Sequence, residues 1–183
     1  MKSMRHFSAA RWPASLKITS LLGCVLLLGV GYAAFWAIPR GTRVPFAEKF
    51  GTLVAFVPPA IAVIAALFVV SGYELDGRCL RVRRLFWATP VSLVGIRKAY
   101  HDAGAMKRSL RVFGNGGLLS ITGIYQNKLL GRYRAFVTDP SRAVVLVLPS
   151  RVVVISPSDP SAFIHQLRVT FPGTHESPRG DAA

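Results

Sequence analysis

"RVFGNGGLLSITG", residues 111–123, sets three glycines and an asparagine between two short apolar runs. Two structures accommodate such a stretch: a loop that cradles phosphate, or the tip of a β-hairpin. A P-loop needs GxxxxGK[ST], but Gly114 to Gly117 lead into Leu118-Leu119 with no Lys-Ser or Lys-Thr pair. A dinucleotide fingerprint needs a helix after its glycines, and here a second strand-like run follows. Asn-Gly between apolar runs is a strong hairpin signal, because both residues tolerate positive φ. The stretch therefore predicts a hairpin, and the surrounding chain reads as β structure.

Outward from that hairpin, turn residues recur every eight to twelve positions after Ser71-Gly72, the spacing of many short strands. Tyr73-Glu74-Leu75 runs into the turn pair Asp76-Gly77, after which Leu80 and Val82 alternate with Arg81 and Arg83, giving one apolar and one cationic face. Residues 90–94, 110–113, 118–122 and 132–138 are expected as further strands, the last with Tyr133, Ala135 and Val137 on one side. Asp139-Pro140-Ser141-Arg142 is a turn leading to AVVLVLP, whose lack of alternation predicts a strand covered on both faces, and RVVVIS follows at 151–156. Ser158-Asp159-Pro160 starts a short amphipathic helix, with Phe163, Ile164 and Leu167 as its apolar stripe. About seven strands closed by one helix predict a pleckstrin-homology-like (PH-like) barrel over 72–170, with 171–183 as a disordered tail.

Three stretches, YELDGRCLRVRR, GNGGLLSITGIYQNKLLGRYRAFVTDPSRAVVLVL and VVVISPSDPSAFIHQL, together resemble the bacterial PH-domain family, whose members often follow a pair of transmembrane helices. The resemblance covers roughly residues 71–169 and implies a membrane-attached, cytoplasmic-side binding module rather than an enzyme. Eukaryotic PH domains that bind phosphoinositides carry basic residues around the first hairpin. Arg78, Arg81, Arg83 and Arg84 stand in a comparable place here.

The sequence before residue 72 is of another kind. LLGCVLLLGVGYAAFWAI, at 21–38, and LVAFVPPAIAVIAALFVV, at 53–70, carry no charge. At ~1.5 Å per residue each reaches about the thickness of the hydrocarbon layer. They predict transmembrane helices at 18–38 and 53–71, joined by a short external loop at 39–52 and preceded by a basic cytoplasmic N-terminus at 1–17. A cleaved signal peptide suits the first run less well, since bulky Phe35-Trp36 stand where small cleavage-site residues are needed. Pro58-Pro59 should kink the second run, which leaves a re-entrant segment as the alternative there. Four Lys or Arg precede the first run (Lys2, Arg5, Arg11, Lys17), three lie between the two (Arg40, Arg43, Lys49) and four follow closely (Arg78, Arg81, Arg83, Arg84). By the positive-inside rule this count places both termini in the cytoplasm of a bacterium, across the inner (plasma) membrane. Gly29, Ala33 and Ala37, and likewise Ala62 and Ala66, form small-residue stripes for helix packing. The fold class is thus an α+β membrane protein: a transmembrane helical hairpin, then a mostly antiparallel β domain capped by a C-terminal helix.

The formal charge is +15, which calls for an acidic partner. Nucleic acid is set aside, because no helix-turn-helix, zinc finger or RNP-like aromatic motif accompanies the charge. Anionic lipid is favoured: each Lys or Arg held near such a surface contributes about 1 kcal/mol, and Arg81, Arg83, Arg84, Arg97 and Lys98 are the candidate contacts, with Lys107, Arg108 and Arg111 in the wider basic set. The two cysteines and four histidines form no paired ligand spacing, so no metal or cofactor is expected. Asp76, Asp102, Asp139 and Asp159 all have turn or cap roles, and no nucleophile stands beside a base, so catalysis is not expected. The function read from sequence is a membrane-anchored PH-like domain serving as a protein-binding or assembly scaffold, its partner unidentified and a second copy of the chain among the candidates. Anionic-lipid sensing at the inner membrane is the alternative.

Overall fold

The structure, a computed structural model, describes residues 5–38 and 45–174. The external-loop expectation at 39–44 and most of the expected tail, at 175–183, lie outside the described residues.

Two long helices come first, α1 (Ala14–Ala37) and α2 (Pro45–Leu67). Both are long and apolar enough to cross a membrane. A soluble core helix of this composition would be buried, yet Leu21, Leu22, Leu26, Leu53, Phe56 and Val63 are all at least 60% exposed. The helices are in close contact at Gly31, where a Cβ would lie 2.8 Å from Pro59 Cδ and 3.0 Å from the Ala55 carbonyl oxygen. α2 stays helical through Pro58-Pro59. It also begins earlier than the apolar run suggests, so residues 45–52 are helix and not loop.

The N-terminal segment contains a feature that its sequence conceals. β1 (Arg5–Ser8) pairs antiparallel with β2 (Gly72–Asp76), Phe7 opposite Tyr73. The chain before α1 and the chain after α2 are therefore neighbours in one sheet, which a helical hairpin alone could not ensure. Beyond β2 come β3 (Cys79–Arg83) and β4 (Ala88–Ser92), giving the order β1-β2-β3-β4. The second sheet holds β5 (Lys98–His101), β6 (Leu110–Gly116), β7 (Ile121–Asn127), β8 (Gly131–Val137), β9 (Val144–Val147) and β10 (Val152–Ile155), in the order β5-β9-β10-β8-β7-β6. Its β8–β10 pair is parallel, so the sheet is mixed.

The expected closed barrel does not form. β10 is already flanked by β9 and β8, so the β1 side reaches it only past its end, through the single bridge Ala9/Pro157. Backbone bonds Ala10 N–H to Ser156 O (2.8 Å) and Ser158 N–H to Ser8 O (2.9 Å) join the two open sheets at that corner. The core fills the space between the sheets, where Tyr73, Leu80, Val82, Phe136, Leu146 and Ile155 meet Phe163 and Leu167 of α3 (Pro160–Thr170). α3 starts as its sequence indicates: the Asp159 side chain accepts from Ala162 N–H at 2.9 Å, with Pro160 in the first turn. β9 and β10 are covered on both faces, since Tyr133, Ala135, Val145 and Val154 form a second cluster on the far side.

Tyr73 shows how the core ties distant segments together. Fully buried, it donates to the Phe136 carbonyl at 2.7 Å and accepts from Ser156 N–H at 3.0 Å, so two backbone groups that lack a strand partner are satisfied. Burial pushes its phenol up to about 12.

Candidate functional site

The glycine-rich stretch is a hairpin, but its tip is not at Asn115-Gly116. Gly114, Asn115 and Gly116 lie within β6 and pair with Gly123, Thr122 and Ile121, so the turn falls on 117–120. Gly114 (φ +116°) and Gly123 (φ +142°) face each other across the ladder so closely that a Cβ on either would overlap the other strand's backbone. Asn115 acts through its side chain: Oδ1 accepts from Gly117 N–H (3.3 Å) and Leu118 N–H (3.0 Å), while Nδ2 donates to Leu118 O.

This tip rests on α1. Leu119 N–H donates to Ser20 Oγ at 2.8 Å, Ser20 Oγ donates to Gly117 O at 3.3 Å, and a Cβ on Gly23 would lie 2.9 Å from Leu118 Cδ1. Gly23 belongs to the first apolar run and Ser20 immediately precedes it. In a bilayer, irregular backbone beside such a helix needs its polar groups satisfied within the protein. Asn115 and Ser20 supply those bonds, and Leu118-Leu119 make the tip apolar.

The end of α2 is fastened in a second way. Its last turn tightens, with Phe68 N–H bonding Ala65 O at 3.2 Å, and this leaves carbonyls that need donors. Arg84 Nη1 donates to Phe68 O at 2.6 Å and Nε to Thr89 Oγ1 at 3.3 Å. The guanidinium lies 5.0 Å from the Phe68 ring centroid and 5.5 Å from that of Phe136. Burial, and then the nearby positive charge of Arg134, lower its pKa from the usual arginine value. Leu85, Phe86 and Trp87 follow in an exposed loop, with the Trp87 ring 5.3 Å from Phe68.

Between α2 and the β6–β7–β8 face lies a cavity of about 1140 Å³. Ile61, Ile64 and Phe68 line one wall and Phe113 and Leu118 another, with Arg84, Arg111 and Arg134 among them. Among the described residues no carboxylate lines it. The ion pairs among the described residues lie elsewhere, Arg81 with Asp76 (3.2 Å) and Arg83 with Glu74 (3.0 Å).

The five cations expected from sequence thus do not converge. Arg84 is buried at the end of α2, Arg81 and Arg83 pair with acids on the outer face of β3, and Arg97 and Lys98 lie at β5, the sheet edge opposite β6. Arg134 was missed as a site residue. Strand alternation does set it on the face of Phe136, opposite Tyr133, but nothing local says that a helix from another part of the chain lies over that face. Of the helix-packing residues, Ala62 and Ala66 are half-buried and follow Ala55 and Pro59 at helical spacing. Gly29, Ala33 and Ala37 are exposed, and nothing lies within 4 Å of a Cβ at Gly29.

Fold and site define a non-barrel PH-like α+β domain seated on a pair of apolar helices. The bacterial PH domain model matches residues 71–171, more than half of the chain, and the protein belongs to that family. No curated protein and no solved structure matches it.

Proposed function

We propose that the protein is a non-catalytic, two-span protein of the bacterial inner membrane, both termini cytoplasmic, whose PH domain works at the anionic face of the bilayer as a lipid-sensing module. The observation that carries this reading is the hairpin tip on α1, an irregular turn with its backbone groups internally bonded at the level of Ser20 and Gly23. The exposed Leu85-Phe86-Trp87 loop beside Phe68 and the exposed Leu110 and Phe113 of β6 supply further apolar contacts on the side of the helices. β1 paired with β2 agrees with an even number of spans. The assembly-scaffold reading retains support from the open Gly29, Ala33 and Ala37 face of α1, against which a helix of a second copy could pack.

The membrane-face reading is tested on Trp87. In a chain carrying Trp12→Phe and Trp36→Phe, Trp87 is the sole tryptophan, excited selectively over the tyrosines at the red edge of its absorption. Reconstituted into vesicles, it is expected to be quenched by lipids brominated near the headgroup and shielded from aqueous acrylamide. Full acrylamide access without bromolipid quenching would refute the reading.

A further inference from the structure

We propose that the cavity between α2 and the β6–β7–β8 face holds one anionic glycerophospholipid, its phosphate between Arg84 and Arg134 and an acyl chain along Ile61, Ile64 and Phe68. This rests on the membrane reading above and deepens it, naming a stoichiometric ligand where that reading needs only a charged surface. It is also a different place from the first hairpin, whose arginines are engaged with Asp76 and Glu74.

The argument begins with charge. The guanidiniums of Arg84 and Arg134 share one cavity, lined by no carboxylate among the described residues, and lie 5.5 and 5.0 Å from the same Phe136 ring. Like charges gathered in a half-buried apolar place repel unless an anion sits among them. Arg84 spends Nη1 and Nε on Phe68 O and Thr89, and both of those bonds leave Nη2 unused. A guanidinium presents paired N–H groups that match phosphate oxygens.

The remaining wall excludes a small soluble anion as the natural occupant. Ile61, Ile64, Ala65 and Phe68 are on a helix long and apolar enough to span a membrane, so the cavity runs from cationic to hydrocarbon-like along α2. An anion with an attached acyl chain satisfies both ends. Its volume, about 1140 Å³, takes a headgroup and part of a chain.

The test uses the full chain in neutral detergent, offered equal amounts of dioleoyl phosphatidylglycerol and dioleoyl phosphatidylcholine and examined by native mass spectrometry. One phosphatidylglycerol per chain is expected to be retained in preference. The variant Arg134→Gln should lower that preference about tenfold, Arg111→Gln should not, and Ala65→Phe, which narrows the acyl-chain end and leaves the arginines intact, should lower occupancy. Arg81→Gln/Arg83→Gln should leave it unchanged. Glycerol phosphate without acyl chains should fail to displace the lipid. Equal retention of the two lipids, preference undiminished in Arg134→Gln with unchanged melting, or displacement by glycerol phosphate would each overturn the proposal. Bromolipid quenching of Trp87 together with absent lipid retention would reject this site while leaving the membrane reading standing.

Discussion

Gly123→Ala is expected to destabilise the protein by about 4 kcal/mol, from roughly 1–3 kcal/mol of backbone strain at a glycine-only φ and a similar overpacking cost. Gly123 has φ +142°, and a Cβ there would overlap Phe113 O and lie 2.8 Å from Gly114 Cα. Gly114 cannot yield, because its own Cβ position is filled by Thr122 O and Gly123 Cα. The strands would have to separate, and the tip they hold on α1 would move with them. Gly131→Ala is the matched control. It also has positive φ (+65°), but nothing lies within 4 Å of the added carbon, so strain alone should cost about 1 kcal/mol. Denaturant midpoints of the purified chains in one detergent check the pair, and equal losses for the two variants would contradict the close-approach account.

Arg84→Met is the second large effect, expected to lower stability by about 2 kcal/mol in lipid-free detergent. The variant loses a charge-assisted bond to Phe68 O, which is left with Ser120 Oγ at 3.4 Å, and it loses the bond to Thr89 and the stacking on Phe68 and Phe136. Relief of repulsion with Arg134 offsets part of that cost. Loss of the short bond to the Phe68 carbonyl, which keeps only the longer Ser120 donor, outweighs this relief, since a hydrogen bond from a charged donor contributes about 1.5–3 kcal/mol. Arg84→Lys should fall between, keeping the charge but not the two-nitrogen reach. A thermal midpoint for Arg84→Met equal to that of the parent would show that Arg84 does not hold α2 to the sheet.

Where local pattern determines structure, the sequence could be read. The hairpin after Asp76, whose turn falls one residue later than expected at Gly77-Arg78, the inward Leu80 and Val82, the doubly covered AVVLVL strand and the Asp159 cap are all consequences of neighbours within a few residues. Partners distant in sequence could not be read in this way. Arg5–Ser8 has one large apolar residue, Phe7, and becomes a strand only because β2 offers an edge. Lys98–His101 is too short to show alternation and is fixed by β9. The parallel β8–β10 pair depends on how β9 folds back.

The hairpin was foreseen from Asn-Gly, but the turn rule assumes that both residues take positive φ. Here Asn115 instead satisfies the tip with its side chain, and the turn moves on to 117–120. The site was legible only as an excess of cations near the apolar runs. Which of them meet depends on α2 lying over β6–β8, and that placement brings Arg134 to Arg84 while leaving Arg97 and Lys98 at the far edge.

The central claim is that the PH domain is seated on its own helices through the glycine hairpin, and cross-linking tests it most directly. In a chain with Cys24→Ala and Cys79→Ala, cysteines are placed by Gly23→Cys and Leu118→Cys, where the present contact is 2.9 Å from the added Cβ to Leu118 Cδ1. In membranes the pair is expected to join within one chain on mild oxidation or with a short thiol cross-linker. A folded protein in which the two cysteines stay separate, with residue 118 open to a water-soluble maleimide, would contradict the account.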